Sequence, residues 1–112
     1  MTEQHLIAQI RRYVKTPMVV LGKERMEKQI RMKDAGLVLY TSDLSRNATK
    51  QLQRLCLRKN VPVFQLGTAA LFEEITGYPN VKVLTLRSSF PGLQRLLQEI
   101  EDSDSQEEDE SF

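Results

Sequence analysis

Residues 18–41 read MVVLGKERMEKQIRMKDAGLVLYT and contain a complete strand–helix–strand unit. Met18 to Leu21 is a short apolar run of strand length, closed by Gly22. From Lys23 to about Lys33 the pattern changes. Met26 and Ile30 fall four apart, the interval that stacks two side chains on one helix face. Asp34-Ala35-Gly36 breaks that helix. Leu37-Val38-Leu39-Tyr40-Thr41 is a continuous apolar run, too short for a helix and typical of a strand covered on both faces. A strand of that kind needs helices above and below it, so the stretch points to a layered α/β fold.

The flanking sequence extends the alternation in both directions. Upstream, Thr2 is placed to cap a helix whose apolar stripe is Leu6, Ile7, Ile10 and Tyr13, and Thr16-Pro17 ends it. Downstream, Ser42-Asp43-Leu44-Ser45 is a turn that finishes in a helix cap. The next helix covers about Arg46 to Lys59, with Ala48, Leu52, Leu55 and Cys56 as its buried stripe and Asn60 as its end. Val61 to Leu66 is a strand with its proline near the start, where it is tolerated. Gly67-Thr68 caps a short helix through Ile75, and Gly77-Tyr78-Pro79-Asn80 is a strong turn signal. Val81 to Leu86 is a strand. The last helix has Pro91 in its first turn and buries Phe90, Leu93, Leu96, Leu97 and Ile100. The expectation is an α/β sandwich with helices on both faces of a four-stranded sheet.

The chain has 112 residues, enough for one domain, with a formal net charge of +1. That small figure is a cancellation. Residues 99–112 hold eight acidic and no basic residues, whereas residues 1–98 hold all 16 basic residues and seven acidic ones, so a +9 body precedes a −8 segment. Residues 1–100 are expected to form the domain, and 101–112 a disordered acidic tail, because that tail has too few apolar groups to offset ordering entropy. No apolar run approaches a membrane span, and the N-terminus is not of signal-peptide type. The expected location is cytoplasmic. One cysteine and one histidine give neither a disulfide framework nor a Cys/His zinc site. No glycine-rich nucleotide loop is present, so no cofactor is expected. A basic body implies a polyanionic partner.

Three constellations carry that implication. Gly22, Lys23, Glu24, Arg25 and Lys28 sit where a strand gives way to a helix, and Glu24, Lys28 and Arg31 share the helix face opposite Met26. A helix N-terminus offers free N–H groups and a positive dipole end to a phosphate, and Glu24 is suited to accept hydrogen bonds from base amino groups. The same pattern also fits a solvated face with an internal Glu24–Lys28 ion pair. Arg46, Lys50, Arg54 and Arg58 recur every four residues on the next helix, as a phosphate-tracking ridge or a solubilising face. Gly77, Tyr78 and Pro79 form a turn that fits either an ordinary connection or a stacking platform for a base. Catalytic arrangements are poor: His5 reads as a surface residue, Cys56 as a small core residue, and Asp43 as a cap or loop-ordering carboxylate.

The order of these segments resembles a known family. Gly22-Lys23-Glu24 through Lys28 and Ile30, Ala35 to Leu39, Ser42-Asp43 with Ser45, Asn47, Thr49 and Lys50, then Leu55-Cys56, Asn60 to Val63, and Ser89-Phe90 with Leu93 to Leu97 are similar to bacterial YlxQ-type ribosomal proteins. These belong to the kink-turn RNA-binding family with the archaeal L-seven-Ae and eukaryotic L-thirty-e ribosomal proteins. The resemblance covers roughly residues 18–98. It implies a three-layer α/β/α sandwich with a mixed sheet. It also implies RNA contacts from Gly22, Lys23, Glu24, Arg25 and Lys28 and from the loop Gly77 to Asn80, with Ser42, Asp43 and Ser45 nearby. Where the archaeal pattern has Asn-Glu, this chain has Glu24 and Arg25.

The expected function is therefore that of a non-catalytic protein binding structured, kink-turn-like RNA, associated with ribosomal RNA. The competing reading is a protein-interaction adaptor whose acidic tail docks a basic partner.

Overall fold

The computed structural model describes the backbone of residues 2–110 and the side chains of residues 3–102. Its elements, in chain order, are α1 (Thr2–Tyr13), β1 (Val19–Leu21), α2 (Lys23–Arg31), β2 (Ala35–Tyr40), α3 (Arg46–Arg58), β3 (Val63–Gln65), α4 (Ala69–Thr76), β4 (Val83–Arg87) and α5 (Leu93–Glu110). The strands form one mixed sheet in the order β1-β4-β2-β3. β4 is antiparallel to β1 and to β2, and β3 is parallel to β2. It follows that β1, β2 and β3 all point the same way, with β4 running back between β1 and β2.

Side-chain alternation along these strands builds a core on each face of the sheet. Leu37 and Leu39 of β2, with Leu84 and Leu86 of β4, face α1, α4 and α5, where Leu6, Ile10, Phe72, Phe90, Leu93 and Leu96 close over them. Val38, Tyr40 and Val83 face the other way and are covered by Met26 and Ile30 of α2 and by Leu52 and Cys56 of α3. This is the expected three-layer α/β/α sandwich. The chain thus separates its helices by role: α2 and α3 form one layer, and α1, α4 and α5 the other.

Element ends depart from the expected ones for local reasons. β2 begins at Ala35, two residues early, because Gly36 lies flat against β4 where any side chain would collide; a Cβ there would stand 3.0 Å from the Arg87 carbonyl oxygen. The pairing with β4 shifts register across that glycine. β3 starts only at Val63, since Pro62 has no N–H to give a ladder, although its carbonyl accepts from Val38 N–H at 2.9 Å. α5 starts at Leu93 rather than Pro91, because Gly92 has φ of 77°, outside any right-handed helix. α1 stops at Tyr13, where the Thr16 hydroxyl and N–H both donate to the Tyr13 carbonyl. Thr2 is the first residue of α1 rather than its cap. At the other end, α5 continues as far as Glu110, into the segment 101–112 expected as the acidic tail; the side chains of residues 103–112 lie outside the described residues.

Candidate nucleic-acid interface

Because β1 and β2 point the same way, α2 and α3 both begin at the same end of the sheet. The segment entering β4 arrives there too: Gly22 N–H donates to the Val83 carbonyl at 2.9 Å, and Thr41 N–H to the Lys82 carbonyl at 3.0 Å. This end therefore gathers the starts of two helices and the chain entering β4.

The three helix starts that follow β1, β2 and β3 are finished differently. Ser45 caps α3, its hydroxyl accepting Ala48 N–H at 3.2 Å. Thr68 caps α4 by accepting Leu71 N–H at 3.3 Å, and the Asp43 carboxylate takes Ala69 N–H at 3.1 Å. α2 has no side-chain cap at all. Its cap residue is Gly22, with φ 94° and ψ 163°, a conformation that residues with a side chain rarely adopt. The first-turn N–H groups of α2 accordingly lack the side-chain acceptor that serves α3 and α4, and they stand at the positive end of the helix dipole.

A depression flanks this helix start on either side. Toward α3 lies a cleft of about 250 Å³, lined by Gly22, Lys23, Met26, Leu44, Ala48 and Leu52, with Asn80 and Lys82 and the acidic Glu27 among its polar residues. Toward the free edge of β1 lies a broader groove that brings Arg25 and Lys28 together with Gly77, Tyr78 and Pro79, and with Lys15 and Arg87. The expected site residues are thus divided. Gly22 and Lys23 face the cleft, whereas Arg25 and Lys28 share the groove with the turn. Glu24 is exposed between them. Tyr78 is 61% exposed, so its ring is open to stack. Ser42 and Asp43 lie on the loop between β2 and α3. Arg46 and Lys50 are exposed on α3, outside both depressions. Arg31 does not join the others: it lines a separate concavity at the far end of α2, with Lys33, Lys59 and Asn60.

Two readings change. The stripe Ala48, Leu52, Leu55, Cys56 is not uniformly core. Leu52 and Cys56 are buried, but Ala48 and Leu55 are half-buried because they line the open cleft. His5 is not a bare surface residue. It is half-buried, with Nδ1 2.8 Å from Glu99 Oε2, linking α1 to α5. Leu44, Lys82 and Lys15 were not singled out in the sequence. Lys82, a charge inside an apolar strand pattern, was the one available signal.

The electrostatics are uneven. The ion pairs among the described residues are His5–Glu99, Arg11–Glu74, Arg87–Asp34 and Arg95–Glu99. None involves a cation of α2 or α3, and Glu24 and Lys28 form no pair among the described residues. The Asp43 carboxyl is held below its ordinary value, first by the Thr41 hydroxyl, against the opposing effect of desolvation, and then by the backbone N–H groups of Ala69 and Asp43 and by the charge of Lys82. The Thr41 hydroxyl faces Asp43 without reaching strict hydrogen-bond geometry. Burial pushes the Cys56 thiol up to about 11, which leaves it protonated and unreactive at neutral pH. Among the described residues no cluster of His, Cys, Asp or Glu is placed to hold a metal, and no helix is long and apolar enough to cross a membrane.

Comparison with known proteins agrees with this architecture. No curated protein sequence matches the chain. Among solved structures, a Bacillus halodurans protein of unknown function superposes with a TM-score of 0.71 at 18% identity, covering 82% of this chain and 95% of its own. A Giardia lamblia 15.5kD RNA binding protein superposes with a TM-score of 0.70, also at 18% identity, covering 88% of this chain and 83% of its own. Both likenesses concern the fold. At the level of sequence, the profile of the ribosomal protein L7Ae/L30e/S12e/Gadd45 family matches residues 5–84, a span that runs from α1 into β4 and includes the whole α2–α3 layer. The chain belongs to the ribosomal protein L7Ae/L30e/S12e/Gadd45 family.

Proposed function

We propose that this chain is a non-catalytic RNA-binding protein of the cytoplasm that recognises structured, kink-turn-like RNA in association with ribosomal RNA. The observation that carries the reading is the uncapped start of α2, set between an apolar cleft and a basic groove. Family membership and the name of the Giardia neighbour support it. The motif order from Gly22 to Val63 supports a place beside the bacterial YlxQ-type proteins.

In this reading Lys23 and the first-turn N–H groups of α2 take phosphate oxygens, with Arg25 and Lys28 holding the adjoining backbone along the groove. Glu24 accepts from a base amino group. The cleft is lined largely by apolar groups, with Asn80, Lys82 and Glu27 among its polar residues, which suits one unstacked base, and Tyr78 offers a face for another. Asp43 acts indirectly, by fixing the loop that carries Leu44. Side chains do not reach the deep groove of regular A-form RNA, so the target is an internal loop or bulge rather than a plain duplex.

Titration by fluorescence anisotropy tests this. Full-length protein is expected to bind an internal-loop RNA more tightly than a paired duplex of equal length, with log affinity falling steeply against log salt. Replacing Glu24 and Lys28 together by alanine is expected to remove that preference. Equal affinity for the two RNAs, or a flat salt response, would overturn the reading. The division into a binding body, residues 1–100, and an acidic tail, residues 101–112, belongs to the same proposal. The tail competes with RNA for the basic surface, so its deletion should tighten non-specific binding at low salt. Unchanged affinity after deletion would leave the tail to a basic protein partner or to solubility.

A further inference from the structure

The outer face of α3 is basic in a way that helix stability does not explain. Arg46, Lys50, Arg54 and Arg58 are all exposed and recur every four residues. No acidic residue occurs between Asp43 and Glu73, so the usual i, i+4 acid partner is absent from the whole helix. No ion pair reaches α3 from another element among the described residues. The helix dipole welcomes Arg58 at the C-terminal end but disfavours Arg46, which is the first residue of the helix, with no acid in that turn. A solvated face would need none of this uniformity.

Beyond Arg58 the cations continue. α2 and α3 run in the same direction, so their C-terminal ends lie side by side. Between them is a concavity of about 370 Å³ that Arg31, Lys33 and Lys59 line together with Asn60, and no acidic residue lines it. Lys33 and Asn60 both have positive φ, 58° and 56°, where each helix ends abruptly. From Arg46 to Arg58 the ridge is about 18 Å long, given the rise per residue of an α-helix. It begins at the end of the sheet where α2 starts and finishes at this basic concavity.

We infer that this face is a second nucleic-acid contact, a track for the phosphate backbone of the RNA helix that flanks the structured motif, with the concavity as its far anchor. The inference rests on the RNA-binding reading of the α2 start and extends it. Charge complementarity selects the occupant. The ridge offers cations interleaved with polar Asn47 and Gln53, whereas a stable protein interface needs an apolar centre. Leu57 is the one large apolar side chain of α3 with high exposure among the described residues. An acidic protein is therefore the lesser fit. The Arg and Lys side chains position the flanking helix without reading its sequence.

The test compares two RNAs carrying the same internal loop, one with short flanks and one with a flank extended on either side by a helical turn. Wild-type protein is expected to bind one extended RNA about 10- to 100-fold more tightly than the short one. The variant R54A/R58A/K59A is expected to lose that gain, to bind the short RNA as the wild type does, and to show a salt slope on the extended RNA shallower by about two to three. The substituted side chains are exposed, and a matching melting temperature verifies the fold. Equal wild-type affinity for short and extended RNAs overturns the inference and leaves the α2 site standing. So does a variant that binds the extended RNA as tightly as wild type, which would leave the ridge to an acidic protein. A wild-type protein that binds neither RNA overturns the underlying reading and this inference with it.

Discussion

The Asp43 carboxylate accepts the backbone N–H of Ala69 at 3.1 Å across 26 residues of chain, and so ties the loop after β2 to the first turn of α4. A second tie runs parallel to it, from Ser42 N–H to the Gly67 carbonyl at 2.7 Å. Together they fix the loop that carries Leu44, a wall of the cleft beside α2. The carboxylate, read from the sequence as a cap or loop-ordering group, takes a helix N–H of α4 and braces the loop.

Asp43→Ala should lower the melting temperature at neutral pH and weaken binding of internal-loop RNA through the displaced loop. The folded state holds this carboxyl below its ordinary value. Its contribution is therefore complete above the unfolded value and disappears as pH falls through the folded one. Thermal melts of wild type and variant should differ at neutral pH and converge in strong acid. A difference that persists or grows on acidification would show that the charge of Asp43 is not what holds Ala69.

Gly22 is at φ 94° and ψ 163°, and a Cβ placed there would meet nothing within 4 Å. The cost of Gly22→Ala is therefore conformational rather than steric, about 1–3 kcal/mol. Chemical denaturation should show that loss with an unchanged m-value. RNA affinity should fall as well, because relaxing the strain turns the first N–H groups of α2 away from their present direction. Full retention of stability would mean that the turn adopts another conformation in solution.

Gly36 presents the opposite case. It needs no special backbone angle, but a Cβ would stand 2.5 Å from Leu93 Cδ2 and 3.0 Å from the Arg87 carbonyl oxygen. Leu93 can rotate, whereas the β4 backbone cannot withdraw without breaking the pairing with β2. Gly36→Ala should cost about 1–3 kcal/mol by overpacking and leave RNA affinity per folded molecule unchanged. A loss of affinity without a loss of stability would contradict the separation of core and interface.

The alternation of elements was legible because each punctuation has a local cause. Thr16-Pro17, Gly22, Asn60 and Gly77 all act within a few residues of themselves. Periodicity likewise placed Met26, Ile30, Leu52 and Cys56 on buried faces. What it did not convey is how far the neighbouring helix stands off, and so Ala48 and Leu55 read as core although they border an open cleft. Contacts such as His5 with Glu99, 94 residues apart, and Asp43 with Ala69 depend on the closed fold and leave no trace in local pattern. The candidate site was legible in part for the same reason. Gly22 to Lys28 is one continuous segment, whereas the approach of Tyr78 and Lys82 to it depends on β4 running back between β1 and β2.

The central claim is that the uncapped start of α2 meets RNA, and the most direct measurement is amide NMR of the labelled full-length protein titrated with an internal-loop RNA. The backbone N–H signals of Lys23, Glu24 and Arg25 should shift first and furthest, followed by those of Tyr78, Asn80 and Lys82. Amides on the far layer, in α1 and in residues 93–100 of α5, should stay in place. Shifts confined to that far layer, with Lys23 to Arg25 unmoved, would contradict the account.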